Sequence, residues 1–300
     1  MSRNTDTMPG TPLDADTAWE LILDASGQPK ATVSLPASNL PALWAGADGT
    51  LRYPSLVSDV ARQLFDTFLP LLGKVPAGRS YVVAQMGQSL DGRIATVTGA
   101  SRFINGDDGL THLHRLRAVC DAVIVGAGTA ACDNPRLTVR HTSGVNPVRV
   151  VIDRHRRVPA HHHLFTDHEA PTLHLTEGHY TGADKHPFRD HYTEVPCLGT
   201  DEAPAEPDQV LSVLRDFGLR RVFVEGGGQT VSRFLKAGLL DRLHVIVAPM
   251  IIGSGRPAFE LPEIDALDDA LRPDARFVSL GSDMLFDLAF PPAPAVRSAR

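Results

Sequence analysis

From residue 81 onward the chain alternates between short apolar runs rich in valine and isoleucine and longer segments with apolar residues at helical spacing. The β-branched runs at 81–86, 122–125, 148–152, 222–225 and 243–249 read as buried strands, and weaker runs lie at 173–175 and 194–197. Residues 107–119 place Leu110, Leu113 and Leu116 on one face and two aspartates in the first turn, where a helix dipole favours them. Residues 208–217 and 230–237 predict helices ending at Gly218 and Gly238, since glycine takes the left-handed conformation that closes a helix. Two runs, 276–280 and 284–290, flank Gly281-Ser282 and predict an antiparallel hairpin. Strand–helix alternation closed by a hairpin predicts an α/β fold with a mostly parallel central sheet, flanking helices and an antiparallel C-terminal edge.

The pattern upstream is different. Residues 1–50 are rich in Pro, Ala and Asp with one apolar island at 19–23, and predict a flexible start followed by a short packed arm. Leu56, Val60, Leu64, Phe68 and Leu71 recur at helical spacing over 55–72, with Ser55 as the expected N-cap and Pro70 fraying the end. Residues 74–78, with Pro76, read as a linker. The expected organisation is an N-terminal extension over 1–78, a main domain over 79–291 and a flexible tail over 292–300.

Composition removes several function classes. A net charge of −6 is opposite to the basic face that nucleic acid or an anionic membrane would need. No run approaches the roughly 18 apolar residues of a membrane span, and the N-terminus lacks an apolar signal core. Cys120, Cys132 and Cys197 are odd in number and widely spaced, which argues against a disulfide framework and for a reducing compartment, so a cytoplasmic location is expected. Ten of the 13 histidines lie between His141 and His191, but without ligand spacing on a clear helix. They read as a solvated loop cluster, and no metal is expected.

The stretch 123–140, VIVGAGTAACDNPRLTVR, carries the strongest chemical signal. A buried strand delivers Gly126-Ala127-Gly128-Thr129, where missing side chains allow close approach to the backbone. The dinucleotide fingerprint G-x-G-x-x-A needs a long helix at that point, whereas Pro135 permits only one or two helical turns. The segment then alternates polar and apolar residues as a strand closing on Arg140. A second glycine loop, Glu225-Gly226-Gly227-Gly228-Gln229-Thr230, joins a strand to a helix N-terminus, a place suited to pyrophosphate.

Together these segments resemble one family. Residues 89–95 (SLDGRIA), 121–126 (DAVIVG), 133–140 (DNPRLTVR), 224–227 (VEGG) and 237–241 (AGLLD) are similar to the reductase domain of riboflavin biosynthesis, over residues 80–290. The resemblance implies a dihydrofolate-reductase-like fold and NADPH-dependent reduction of 5-amino-6-(5-phosphoribosylamino)uracil. The alternative is a reductase of the same fold acting on another heterocycle, such as a dihydropterin or a secondary-metabolite precursor. The zinc deaminase signature that often precedes this domain is absent. The resemblance implies cofactor contacts at Gly87, Phe103, Thr129, Asp133, Gly227, Gly228, Gln229 and Thr230. Arg154, in a place more often held by serine, is a candidate for the 2′-phosphate, with Arg156 and Arg157 as competitors. Substrate contacts are implied at Ser101, Arg117, Leu137, Arg140 and Glu225, and proton donation at Asp133 or Glu225. Asp91 is either a ligand contact or the cap of a tight turn. Gln85 stands where the family usually carries lysine, and glutamine can hydrogen-bond but carries no charge. The family pairs as homodimers, and the same is expected here.

Overall fold

The computed structural model describes residues 12–27, 57–102, 104–182 and 191–291. The chain divides into two compact units between Gly73 and Lys74.

In the first unit, α1 (Ala15–Ser26) starts where Asp14 accepts from the Thr17 N–H and stops at Gly27 in the left-handed conformation. The sequence pattern had suggested a packed arm without assigning this helix. α2 (Asp59–Phe68) is capped by Ser58, whose hydroxyl accepts from the Ala61 N–H, and continues as a tight 3₁₀ turn over Leu69–Leu72. The expected cap, Ser55, lies outside the described residues. Trp19 meets Phe68 edge-on at 5.3 Å, the geometry aromatic quadrupoles favour, and Ile22 and Phe65 are fully buried.

The second unit is built on a nine-stranded sheet. Its strands are β1 (Tyr81–Ser89), β3 (Ala122–Gly126), β4 (Val148–Ile152), β5 (Thr172–Thr176), β6 (Tyr192–Pro196), β7 (Arg221–Glu225), β8 (Arg242–Ala248), β10 (Asp274–Leu280) and β11 (Asp283–Ala289). Their spatial order is β10-β11-β8-β1-β7-β3-β4-β5-β6. Every pairing from β8 to β6 is parallel, and the terminal hairpin joins β8 antiparallel. The expected mostly parallel sheet with an antiparallel hairpin is therefore what the chain forms. A small ladder of β2 (Arg93–Ala95) with β9 (Arg256–Pro257), which the sequence pattern did not suggest, lies outside this sheet.

The helices α3 (Asp107–Val119), α6 (Pro207–Asp216) and α7 (Gly228–Lys236) and the short α4 (Ala127–Asp133) and α5 (His163–Thr166) complete the unit. α6 begins with Pro207 at its first turn and a reciprocal cap between Glu206 and Gln209. The core runs along the fully buried β3 and β7 residues Ile124, Val222 and Val224 to Leu214 and Phe234 of the covering helices. Parallel strands place all their carboxyl ends on one edge, which in open α/β sheets is where ligands bind.

Candidate active site

Two neighbouring regions form along the carboxyl edge. The first is a cavity of about 300 Å³ over the ends of β3 and β4 and the start of α7. Ile152, Leu198, Pro207, Val210 and Phe234 make an apolar wall, and Arg154, His155, Arg157 and Arg233 make a basic rim. Gln229 and Thr230 bring the first turn of α7, whose initial N–H groups have no intrahelical acceptors.

Gly126 and Gly128 line this cavity, with open space where a Cβ on Gly128 would sit, and the other glycines of the two loops make room for packing. A Cβ on Gly126 would lie 2.5 Å from Thr230 Oγ1, one on Gly227 would lie 2.9 Å from Thr129 Oγ1, and one on Gly228 would lie 2.9 Å from the Ala258 carbonyl oxygen. They let the two loops and the 257–258 segment close on one another. Gly227 and Gly228 thus stand behind Gln229 and Thr230. Gly226 and Gly227 also hold φ of 74° and 75°, the left-handed region that glycine enters without steric cost.

The basic turn after β4 separates Arg154 from one of its two competitors. Arg154 and Arg157 line the cavity, with His155 between them, while Arg156 turns away to pair with Glu194 of β6. Asp201 already places a carboxylate against Arg154 Nη1 (3.3 Å) and His155 Nε2 (3.5 Å), which shows an anion fitting this corner. Arg154 Nε is buried and has no acceptor.

The second region lies beside the cavity, where β7 ends. Glu225 is gripped end-on by Arg117 of α3: Nε donates to Oε2 at 2.7 Å and Nη2 to Oε1. The third guanidinium nitrogen donates to the Thr138 carbonyl at 2.7 Å. Arg117 is 4% exposed, and all three of its guanidinium nitrogens bond within the protein. Leu137 is likewise 1% exposed, and its φ of 55° is strained for a branched side chain. The expected strand closing on Arg140 does not form. Asn134 and Leu137 both take left-handed backbone, and the segment is held instead by Asn146 at the Val139 N–H and His114 at the Arg140 N–H.

Arg140 itself is exposed and donates to the Thr138 hydroxyl at 2.7 Å. Desolvation and the nearby Arg117 and Arg136 charges hold its guanidinium below the ordinary value, a strain that an anion would relieve. Burial, with Arg117 and Arg140 adding, lowers His114 to about 3, so it stays neutral and accepts from Arg140 through Nδ1. Gln85 on β1 pairs in register with Glu225, is 9% exposed, and leaves Oε1 without a donor. Asp133 ends α4. Desolvation raises its carboxyl above the usual range, with Arg102 and Arg256 opposing.

The remaining assignments separate by geometry. Ser101 is exposed in the loop before α3, and Phe103 lies outside the described residues. A Cβ on Gly87 would fall 1.9 Å from Asn105 Oδ1, so this glycine makes room for Asn105, which donates to the Ile246 carbonyl. Asp91 caps the loop after β8 by accepting from the Ile252 and Gly253 N–H groups. Its carboxyl is lowered to about 2, first by the Ser89 hydroxyl and then by those amides. Among the described residues no group of histidines, cysteines and acids is arranged to hold a metal, and no helix is long and apolar enough to cross a membrane. The histidine cluster is less solvated than expected, since His162 and His174 are buried and hydrogen-bonded.

The apolar wall of the cavity is the part that sequence reasoning missed. Leu198 and Ala205 come from the segment between β6 and α6 and Pro207 and Val210 from the start of α6, and no local pattern announces that they line a cavity with β4. His155 and Arg233 were also missed, although the basic run at 154–157 was a visible signal.

An open parallel sheet with a nucleotide-sized cleft and an arginine-held acid at its carboxyl edge is that of a dihydrofolate-reductase-like oxidoreductase. A family model described as the RibD C-terminal domain matches residues 80–286, and the chain belongs to this family. It is 37% identical over 216 residues to the 2,5-diamino-6-ribosylamino-4(3H)-pyrimidinone 5′-phosphate reductase of Methanothermobacter thermautotrophicus, covering 70% of this chain and 97% of that protein. It is 31% identical over 227 residues to the riboflavin biosynthesis protein RibD of Aquifex aeolicus, covering 75% of this chain and 61% of that one. The structure of Acinetobacter baumannii RibD matches with a TM-score of 0.59 at 25% identity, over 77% of this chain and 63% of that one. The chain therefore spans less than two-thirds of the length of these two RibD proteins.

Proposed function

We propose that the chain is an NADPH-dependent reductase of a ribosylamino-pyrimidine 5′-phosphate in riboflavin biosynthesis. The observation that carries this reading is the adjacency of an apolar cavity with a basic rim to the Arg117–Glu225 pair and the exposed Arg140. The cavity suits the adenosine half of the cofactor, with the wall against the base and Arg154, His155 and Arg157 against a ribose phosphate. Gln229 and Thr230 present helix N–H groups to the pyrophosphate, and Thr129 backs them.

When bound, NADPH supplies the hydride. The ring-opened ribosylamine offers an imine carbon at C1, and hydride addition there requires one proton on the imine nitrogen. Both oxygens of Glu225 already accept from Arg117, so this acid keeps lone pairs for substrate N–H or O–H groups and orients them. Asp133, whose carboxyl desolvation raises, is read as the proton donor, and Glu225 as the group that orients the substrate. Arg140 takes the substrate phosphate, aided by the Ser101 loop.

Two results are expected from binding and kinetics. NADPH binds at least about tenfold more tightly than NADH, roughly 1.4 kcal/mol, by calorimetry, and equal affinities count against the cofactor assignment. Arg140→Ala raises the substrate KM about tenfold to a hundredfold, the cost of one charge-assisted contact, while NADPH affinity holds. Loss of NADPH binding with unchanged substrate kinetics reverses the assignment.

The working form is a homodimer. β10 is an edge strand, and Phe277 and Met284 on the terminal hairpin are 65% and 41% exposed, a face that a second copy would cover. Light scattering at micromolar protein is expected to give twice the chain mass. The three cysteines are free, in keeping with a cytoplasmic enzyme.

A further inference from the structure

The turn that carries the basic rim is held from beneath by side chains that never reach the cavity. Asp153 follows β4 and is fully buried. Its Oδ1 accepts from the Arg157 N–H at 2.8 Å and its Oδ2 from the Val158 N–H at 2.9 Å, which closes the turn on itself. His174, on β5 and 5% exposed, reaches the same Oδ2 through Nε2 at 3.2 Å. The Tyr192 hydroxyl on β6 meets His174 Nδ1 at 2.8 Å.

Asp153, His174 and Tyr192 form a continuous hydrogen-bonded line from the end of β4 across β5 and β6. Asp153 Oδ2 and His174 Nε2 share one hydrogen bond, His174 Nδ1 and the Tyr192 hydroxyl share the next, and the Tyr192 O–H also reaches Glu194 Oε2 at 3.5 Å. Desolvation and Glu194 push the Tyr192 phenol up to about 12, which keeps that proton in place. Two further bonds fix the direction of the turn. The Arg154 carbonyl accepts from the Glu177 N–H at 3.1 Å, and Arg156 takes a φ of 51° that sends its side chain to Glu194. The outcome is a sorting of four consecutive basic residues, with Arg154, His155 and Arg157 facing the cavity and Arg156 facing away.

We propose that Asp153, His174 and Tyr192 form a positioning relay that aims Arg154, His155 and Arg157 at a phosphate on the adenosine ribose, and so sets discrimination between phosphorylated and unphosphorylated cofactor. The relay touches neither cofactor nor substrate. It acts because a buried, fully paired carboxylate tolerates only one arrangement of the amides around it, and that arrangement decides where the guanidinium groups point. The inference rests on the reading of the cavity as the adenosine site.

The test uses the full chain and calorimetry with two probes, adenosine 2′,5′-bisphosphate and adenosine 5′-monophosphate, which differ by the 2′-phosphate. The wild type is expected to prefer the bisphosphate. His174→Ala reduces that preference by about tenfold, the weight of one charge-assisted contact, while monophosphate affinity stays constant. His174→Gln, whose amide can still donate to Asp153, restores most of it. Tyr192→Phe removes only the outer hydroxyl, leaves the fold intact, and shifts the preference the same way by a smaller factor. A preference unchanged in both His174→Ala and Tyr192→Phe overturns the relay, as does an equal loss for the two probes, which would mark a purely structural role. No preference in the wild type is a different result: it overturns the phosphate reading of the cavity, and the relay's role with it.

Discussion

Replacing Arg117 by methionine is expected to lower kcat/KM for the pyrimidine substrate by at least about 10²-fold while leaving NADPH affinity unchanged. Arg117 fixes both oxygens of Glu225 and the Thr138 carbonyl, so its loss frees the acid and the segment leading to Arg140 together. A displacement of about 1 Å in a positioning group costs on the order of 10²-fold in rate. Stability falls as well. Glu225 retains only 14% side-chain exposure, and removing one partner of a buried pair costs about 3–5 kcal/mol. Glu225→Gln separates the two effects, because it keeps the shape and one acceptor while removing the charge. For this variant the deficit is expected mainly in the substrate KM. If both variants turn over the substrate at the wild-type rate, the Arg117–Glu225 pair is outside the reaction.

The second large effect lies away from the site. Asp287 on β11 is buried against Arg242, whose Nε and Nη2 donate at 2.7 and 2.6 Å, with Arg276 and His244 each at 3.3 Å. Burial alone would raise this carboxyl, but the close contact with His244 and the two bonds from Arg242 outweigh it and hold it well below the usual carboxylate range. A folded value below the unfolded one means that this stability is fully present above the unfolded pKa of about 3.9 and is lost as pH falls through the folded value. Tm is therefore expected to be flat with respect to this group down to about pH 5 and to fall below about pH 4. Asp287→Ala leaves Arg242 buried without its anion, costs about 3–5 kcal/mol, and lowers Tm by roughly 6–20 °C at neutral pH. The double change Asp287→Leu with Arg242→Met recovers much of that loss, since an apolar pair of similar volume avoids the desolvation penalty. A Tm profile for Asp287→Ala that matches the wild type at pH 7 would show that the cluster contributes nothing.

The order of strands and helices was legible in the sequence because each element carries its own period and punctuation. Val222, Val224 and their neighbours mark a strand buried on both faces, and Gly218 and Gly238 stop helices that local patterning had already started. The family motifs placed Glu225, Thr129 and Asp133 along one edge of the sheet before any coordinates. What local pattern could not supply was direction. The alternation closing on Arg140 looked like a strand, but Asn134 and Leu137 take left-handed backbone and the segment is held by Asn146 and His114 instead. The resemblance implied a substrate contact at Arg117, but no local pattern showed that its buried guanidinium would pair with Glu225. Sequence favoured Arg154 over Arg156 and Arg157 and passed over His155, whereas in the structure Arg154, His155 and Arg157 line the cavity and Arg156 pairs with Glu194, above the buried Asp153 and His174. The sequence by itself thus determined the elements, their order and the chemical types at the sheet edge, because these depend on near neighbours. The tertiary structure alone decided which polar groups are spent on one another and which stay free for a ligand, because that depends on desolvation and on partners more than a hundred residues apart, as with Arg117 and Glu225.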